Sequence, residues 1–300
     1  MATAAAVSGA ISDHDWEMPA QVSLRQDSWR RLRRNKLALV GLVIVILALA
    51  SAVISPFWTP YETWRNALGT TYAPPSLAHP LGLDNLGRDI LSRLLSGATV
   101  AIEVGVGASA LASAFGIVLG LIAGFYRGKV DAVISTFINV WYGVPDLLVA
   151  MTLVVLLGRG VMNLVVAIAI TGWLGMARLV RGQTLSLRER EFNEAARASG
   201  TKDFGIIFKH ILPNALGPII VQATYLVPAA IIFEAFLSLL GLGVPPPTPS
   251  WGDMASEGYK SLQFAPHVVL APSIAISLTV LAFNWLGDGL RDAIDPRMRR

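Results

Sequence analysis

Six apolar runs, each near the ~20 residues a helix needs to cross a bilayer, occupy residues 37–55, 104–125, 132–157, 161–177, 218–244 and 268–287. Polar segments rich in Arg, Gly and Pro separate them. The pattern predicts an all-α membrane protein of six transmembrane helices. The first run contains Ala48-Leu49-Ala50, which resembles a cleavage site, but it follows a polar stretch over residues 1–36 and stays apolar beyond that triplet. A retained helix is expected there rather than a removed leader. The expected layout is a polar segment over 1–36, a first span over 37–55, and a loop with an interfacial helix over 56–97. A five-helix core over 98–290 follows, interrupted by a polar loop over 178–213, and a tail over 291–300 ends the chain.

Composition narrows the function classes. Apolar residues make up 54% and charged residues 15% of 300 residues, and the mean hydropathy is +0.57, too little polar surface for a water-soluble globule of this size. No cysteine is present, which removes disulfides and thiolate chemistry. The four histidines, His14, His79, His210 and His267, lie far apart, so a histidine metal centre is not expected. Charge is more useful for topology than for partners. With both termini inside, nineteen Lys and Arg fall on inner segments and five, Arg65, Arg88, Arg93, Arg159 and Lys260, on outer ones. That asymmetry predicts cytoplasmic termini. The cluster Arg30-Arg31-Leu32-Arg33-Arg34 then reads as an anchor on anionic lipid, with no nucleic-acid partner expected.

Local rules predict a helix-turn-helix in the 178–213 loop. Ser186-Leu187-Arg188-Glu189 has the form of a capping box, Arg190 and Glu194 are four apart, and Gly200 suits the left-handed end of a helix. Thr201 is the expected cap of a second helix with an apolar stripe of Phe204, Ile207, Phe208 and Ile211, ended by Pro213. In the sequence this segment reads E-A-A-x3-G-x9-H-x-L-P, through Glu194, Ala195, Ala196, Gly200, His210, Leu212 and Pro213. It resembles the loop through which permease subunits of bacterial ABC importers engage their ATPases.

Further stretches carry the resemblance over most of the chain. His79-Pro80-Leu81-Gly82-Leu83-Asp84, with Gly87-Arg88-Asp89 and Ser92-Arg93, is similar to an element of the C-type permeases of dipeptide and oligopeptide importers, Leu83 standing where Thr is usual. Leu239-Leu240-Gly241-Leu242-Gly243-Val244, Pro246-Pro247-Thr248-Pro249-Ser250-Trp251-Gly252, Leu286-Gly287-Asp288-Gly289-Leu290-Arg291-Asp292 and Asp295-Pro296 match as well. The resemblance implies a type I ABC importer permease in a bacterial inner membrane, working by alternating access on di- or oligopeptides. It also implies a homologous B-type permease, one or two ATPase subunits and an extracytoplasmic peptide-binding protein as partners. The chain has no G-x-x-x-x-G-K-S/T phosphate loop, so it is expected to be no enzyme and to bind no cofactor, ATP and Mg being held by the ATPases. Nickel and glutathione importers share most of these motifs.

The motifs also allow physical readings. Ile90, Leu91, Leu94 and Leu95 share a helical face opposite Arg88, Asp89 and Arg93, which predicts an interfacial helix ahead of the second span. The run Pro245-Pro246-Pro247-Thr248-Pro249 predicts a stiff extended outer loop, and Pro218 and Pro228 are expected to distort the fifth span. Three carboxylates interrupt apolar runs: Glu103 at the outer start of the second span, Asp146 ~21 Å along a straight third span, and Glu234 ~24 Å along the fifth. All three are candidate pathway residues of the outer half, with interhelical bonding as the alternative for Asp146 and Glu234 and snorkelling for Glu103. The same acids allow two other classes: a proton-coupled secondary transporter using Asp146 and Glu234, and an intramembrane protease, which the lack of H-E-x-x-H and G-x-G-D disfavours.

Overall fold

A computed structural model describes residues 29–294. Most of the 1–36 segment, the end of the 291–300 tail and the Asp295-Pro296 motif lie outside the described residues. Five helices are long and apolar enough to span a membrane, and a sixth span is formed if one bent pair counts as one. Helix α1, Lys36–Ile54, begins where the Asn35 carboxamide accepts the Ala38 amide. Helix α2, Ile90–Tyr126, is a single rod of 37 residues. Helices α3, Gly128–Trp141, and α4, Asp146–Leu157, meet at 85°. Helix α5 is Val161–Arg188 and α6 is Glu191–Ala198. Helix α7, Asp203–Ile206, passes through a π-helical turn, Ile207–Ile211, into α8, Leu212–Leu239. Helix α9, Trp251–Tyr259, is short, and α10, Pro266–Ile294, ends the described chain. No strand occurs among the described residues.

The tightest seam joins α2 to α5 through Gly116, Gly120 and Gly124, spaced one helical turn apart. A Cβ on any of them would meet Met176, Val180 or Thr184 of α5, or α5 backbone, at 2.6–2.9 Å. Hydrogen in place of a side chain lets the two backbones touch, which is how helices gain packing energy where lipid removes the usual hydrophobic drive. Around this seam one core cluster surrounds Val104, Ala108, Leu164 and Ile168, and another surrounds Met176, Val180, Ile207 and Ile211.

Several sequence expectations need correction. The third span is not straight: Tyr142, Gly143 and Val144 break it and Pro145 restarts it, because Pro145 supplies no amide to a continuing helix. No separate interfacial helix precedes α2, whose first turn is already the start of the rod. Arg88, Asp89 and Arg93, expected to face water, are buried. Residues 245–249 turn at Pro246-Pro247 instead of running straight, with residues 245–248 exposed and Pro249 buried.

Candidate functional site

The turn that follows α5 packs against the ends of three long helices, α2, α5 and α8. Helix α5 does not stop at a capping box; Ser186 lies in its last turn and Glu189 follows its end. Helix α6 starts instead at Glu191, with Arg190 as its uncapped N-terminal residue. What fixes α6 is Asn193, buried, whose amide donates to the Leu187 carbonyl at 2.8 Å. Arg188 and Arg197 approach the Phe125 ring at 5.7 and 5.6 Å, and Arg127 pairs with Glu189, which holds the Glu189 carboxyl below the usual range. Ala196 packs with Ile206, Ile207 and Ile211. Glu194, Ala195 and Gly200 remain exposed.

Gly200 has φ +80° and donates to the Arg197 carbonyl, while Thr201 donates to that of Ala196, so the left-handed ending is present. Lys202, not Thr201, precedes the next helix. The second helix is not short, and Pro213 does not end it. The Leu212 amide reaches back five residues to Ile207, and this π turn relieves the clash a proline ring makes with the carbonyl four residues earlier. The predicted stripe splits accordingly: Ile206, Ile207 and Ile211 are buried, whereas Phe204 is 71% exposed and packs at a tilt on Phe208 at 4.3 Å on the outside. The His210 ring lies 6.4 Å from that of Phe192, Leu212 is half-buried and Pro213 is exposed.

A second region is a cavity of about 150 Å3 among α2, α4, α5 and α8, where Asp146 meets Ser109, Thr171, Gly172 and Phe233. Asp146 is the first residue of α4, ~16 Å along that helix from Leu157. Glu234 does not reach this cavity. It is 2% exposed, and the Ser238 hydroxyl donates to it at 2.8 Å. Glu103 is exposed on α2. The three acids therefore occupy three different environments.

The third region is a clasp at the N-terminal end of α2. Asp84, Arg88 and Arg93 are buried together. Arg88 Nε donates to Asp84 at 2.7 Å, and its Nη2 donates to Glu257 of α9 at 2.9 Å. Arg93 Nη1 bonds both Asp84 and, at 3.0 Å, Glu257. Asp89 caps α2 by accepting from the Ser92 amide at 2.8 Å and its hydroxyl at 2.7 Å, and meets His79 Nδ1 at 2.9 Å. Nearby, burial pushes the Asp253 carboxyl up to about 6, against opposing contributions from Ser250 and Arg159. The motif over residues 79–93 is thus the tie between the loop ahead of α2, α2 itself and α9. No group of acids and histidines among the described residues has the arrangement of a metal site.

Sequence reasoning missed Asn193, the clasp partner Glu257 and the glycine seam. The seam was readable as three glycines at a spacing of four. Nothing local marked Glu257, which is paired across more than 160 residues.

Comparison with known proteins places this geometry. Residues 116–300 match the family described as binding-protein-dependent transport system inner membrane component, and residues 23–75 match the N-terminal transmembrane domain of oligopeptide transport permease C. The dipeptide transport system permease of Bacillus subtilis is 46% identical over 93% of this chain and 88% of its own length. The oligopeptide transport system permease of the same organism is 43% identical over 93% and 92%. The glutathione transport system permease of Pectobacterium atrosepticum is 42% identical over 91% of each. The fold is also that of an inward-facing methionine ABC transporter structure, with a TM-score of 0.57 at 18% identity, covering 69% of this chain and 98% of that one. By these matches, over both the core and the first span, the chain belongs to the family of inner membrane components of binding-protein-dependent transport systems, as a non-enzymatic permease of the ABC type.

Proposed function

We propose that this permease carries di- or oligopeptides into the cytoplasm, paired with a homologous second permease and driven by ATP and Mg bound on separate ATPase subunits. An extracytoplasmic binding protein delivers the cargo. The observation that carries the reading is the docking turn: Glu194 and Ala195 are exposed, whereas Ala196 is packed into the ends of the long helices. A push on α6 is therefore transmitted to α2, α5 and α8 together. The 43–46% identity to peptide permeases supports the cargo class.

In this reading both termini and the docking turn face the cytoplasm, as the basic residues favour. Asp146 lines the pathway at the cavity it opens into. Glu103, exposed on α2, faces the partner permease or the pathway, and Glu234 takes the bonding role. The test is ATP-dependent uptake of labelled di- and tripeptides by the reconstituted complex. Uptake that survives ATP depletion and stops when a proton gradient is collapsed would replace this reading with secondary transport. Orientation is checked by impermeant thiol labelling of single cysteines introduced at the exposed positions 198 and 260. Outside labelling at 198 without labelling at 260 would reverse the topology.

A further inference from the structure

Asp146 and Arg178 are an acid and a base within membrane helices, and neither has an ion-pair partner among the described residues. Asp146 opens into the cavity among α2, α4, α5 and α8. Arg178 is held by neutral groups only: its guanidinium lies 3.9 Å from the Tyr142 ring centroid and donates to Asn139 Oδ1 at 2.9 Å. Those contacts aim the guanidinium without neutralising it. Both Tyr142 and Asp146 belong to the corner that breaks the third span, so one bend places the two charges.

Helix α5 connects them. Thr171 and Gly172 line the cavity beside Asp146, and Gly175 and Arg178 follow on the same helical face. These glycines differ from those of the α2–α5 seam. A Cβ on Gly172 would meet only Ala112 at 3.7 Å, and one on Gly175 only Gln222 at 3.7 Å. They leave a shallow track open where the seam glycines close a contact. From Gly172 to Arg178 the helix rises ~9 Å, and an extended tripeptide spans ~10 Å.

We propose that this track holds a short peptide by its two ends, Asp146 taking the α-ammonium group and Arg178 the α-carboxylate. The inference rests on the peptide reading above and deepens it. Cargo is a zwitterion with free termini, and it travels with its carboxyl end leading toward the cytoplasm. Arg suits the inner position because its planar fork binds a carboxylate through two parallel hydrogen bonds. An unpaired charge within a membrane is costly, and a cargo ammonium offsets that cost at Asp146, while the exposed Arg178, at the start of the 178–213 segment, offers its charge at the inner mouth of the track. Between the charges the track is floored by Gly172 and Gly175 with the neutral amide of Gln222 beside it, so side chains of the cargo meet little that would select among them.

The test uses the whole complex in proteoliposomes with three probes: trialanine, N-acetyl-trialanine and trialanine amide. The binding protein is the same in every sample, so its own preferences cancel when uptake ratios are compared between variants. Asp146→Asn is expected to lower the trialanine to N-acetyl-trialanine ratio about tenfold and to leave the trialanine to amide ratio as in wild type. Arg178→Gln is expected to do the reverse. Asp146→Glu and Arg178→Lys should keep both ratios near wild type. Unchanged ratios in both neutral variants, with peptide uptake intact, would remove end recognition and leave the peptide reading standing. Loss of uptake of all probes that the charge-keeping variants do not restore would assign both residues to packing and also overturn the proposal. Wild-type complexes that take up none of the three probes would instead remove the peptide reading on which it rests.

Discussion

At the N-terminal end of α2, Arg88 and Arg93 are buried with Asp84 and share Glu257, and every guanidinium contact there is made within the chain. Near the C-terminal end of that helix, α6 exposes Glu194, Ala195 and the left-handed Gly200 turn, and Phe204 packs at a tilt on Phe208 on the outside. One end spends its charge on its own fold; the other keeps small and aromatic surface uncommitted. A buried ion network is costly to break because removal of one partner strands the other charge. An exposed turn is cheap to alter for the fold and matters through what docks on it. The two regions therefore separate stability from coupling.

The largest stability effect is expected at the clasp. Arg93→Ala removes one of the two guanidinium partners of Asp84 and of Glu257 and leaves both acids on Arg88 alone, at up to about 3 kcal/mol. Thermal unfolding in detergent should show a fall of several degrees or outright loss of folded chain. An unchanged melting temperature would show that the network contributes little to holding α9 against α2.

Gly200→Val comes next for the fold and first for transport. A β-branched residue at φ +80° carries strain of about 1–3 kcal/mol, and since no neighbouring atom lies within 4 Å of a Cβ there, the strain is confined to the turn. The chain should insert and pair with the second permease while ATP-driven uptake and stimulated ATPase activity are lost together, as coupling is a shared free energy. Glu194→Lys should do the same to a lesser degree. Wild-type values for both activities in Gly200→Val would sink the coupling role of the turn.

A smaller effect distinguishes Asp253 from its paired neighbours. Its carboxyl titrates near 6, above the ordinary value of 3.8, because burial disfavours the charged form. The folded state holds the proton more tightly than the unfolded state, so stability falls as pH rises from about 4 to 6 and stays reduced above that. Asp253→Asn removes the penalty. It should stabilise the protein by on the order of 1 kcal/mol at pH 7.5, and the gain should vanish near pH 4. A gain of equal size at both values would trace to packing and not to ionisation.

The smallest stability change is expected for Phe204→Ala combined with Phe208→Ala. Surface side chains of this kind shift stability by about 0.5 kcal/mol or less. If they serve docking, co-purification of the ATPases should weaken while the melting temperature holds. A large drop in melting temperature with ATPase binding intact would place these rings in the fold and not in the interface.

Much of this protein was legible along the chain. Span number, helical class, the Gly200 turn and the motif of Glu194, Ala195 and Ala196 follow from hydropathy, turn chemistry and spacing, which are local properties. Length near the spans was less legible: α2 begins at Ile90 and α5 runs to Arg188 because a helix continues past the bilayer wherever its outer turns find partners, and those partners are distant in sequence. The capping box failed for that reason, since Ser186 and Glu189 were already inside or beside a longer helix. Pro213 misled because a proline ends an α-helix only if the backbone cannot shift, and a π turn shifts it. The bend at Tyr142–Pro145 made Asp146 the first residue of α4 beside the cavity, and burial turned Glu234 to Ser238 and away from that cavity.

The sequence by itself determined that the chain crosses a membrane as helices and turns at a left-handed Gly200, because apolar length and glycine act on their own neighbourhood. Only the tertiary structure decided which charges are partnered. Glu257 finds Arg88 and Arg93, and Glu234 finds Ser238, whereas Asp146 and Arg178 find no opposite charge among the described residues. Ion pairing depends on distances of a few ångströms between helices far apart in the chain, and those distances are set by how the whole bundle packs.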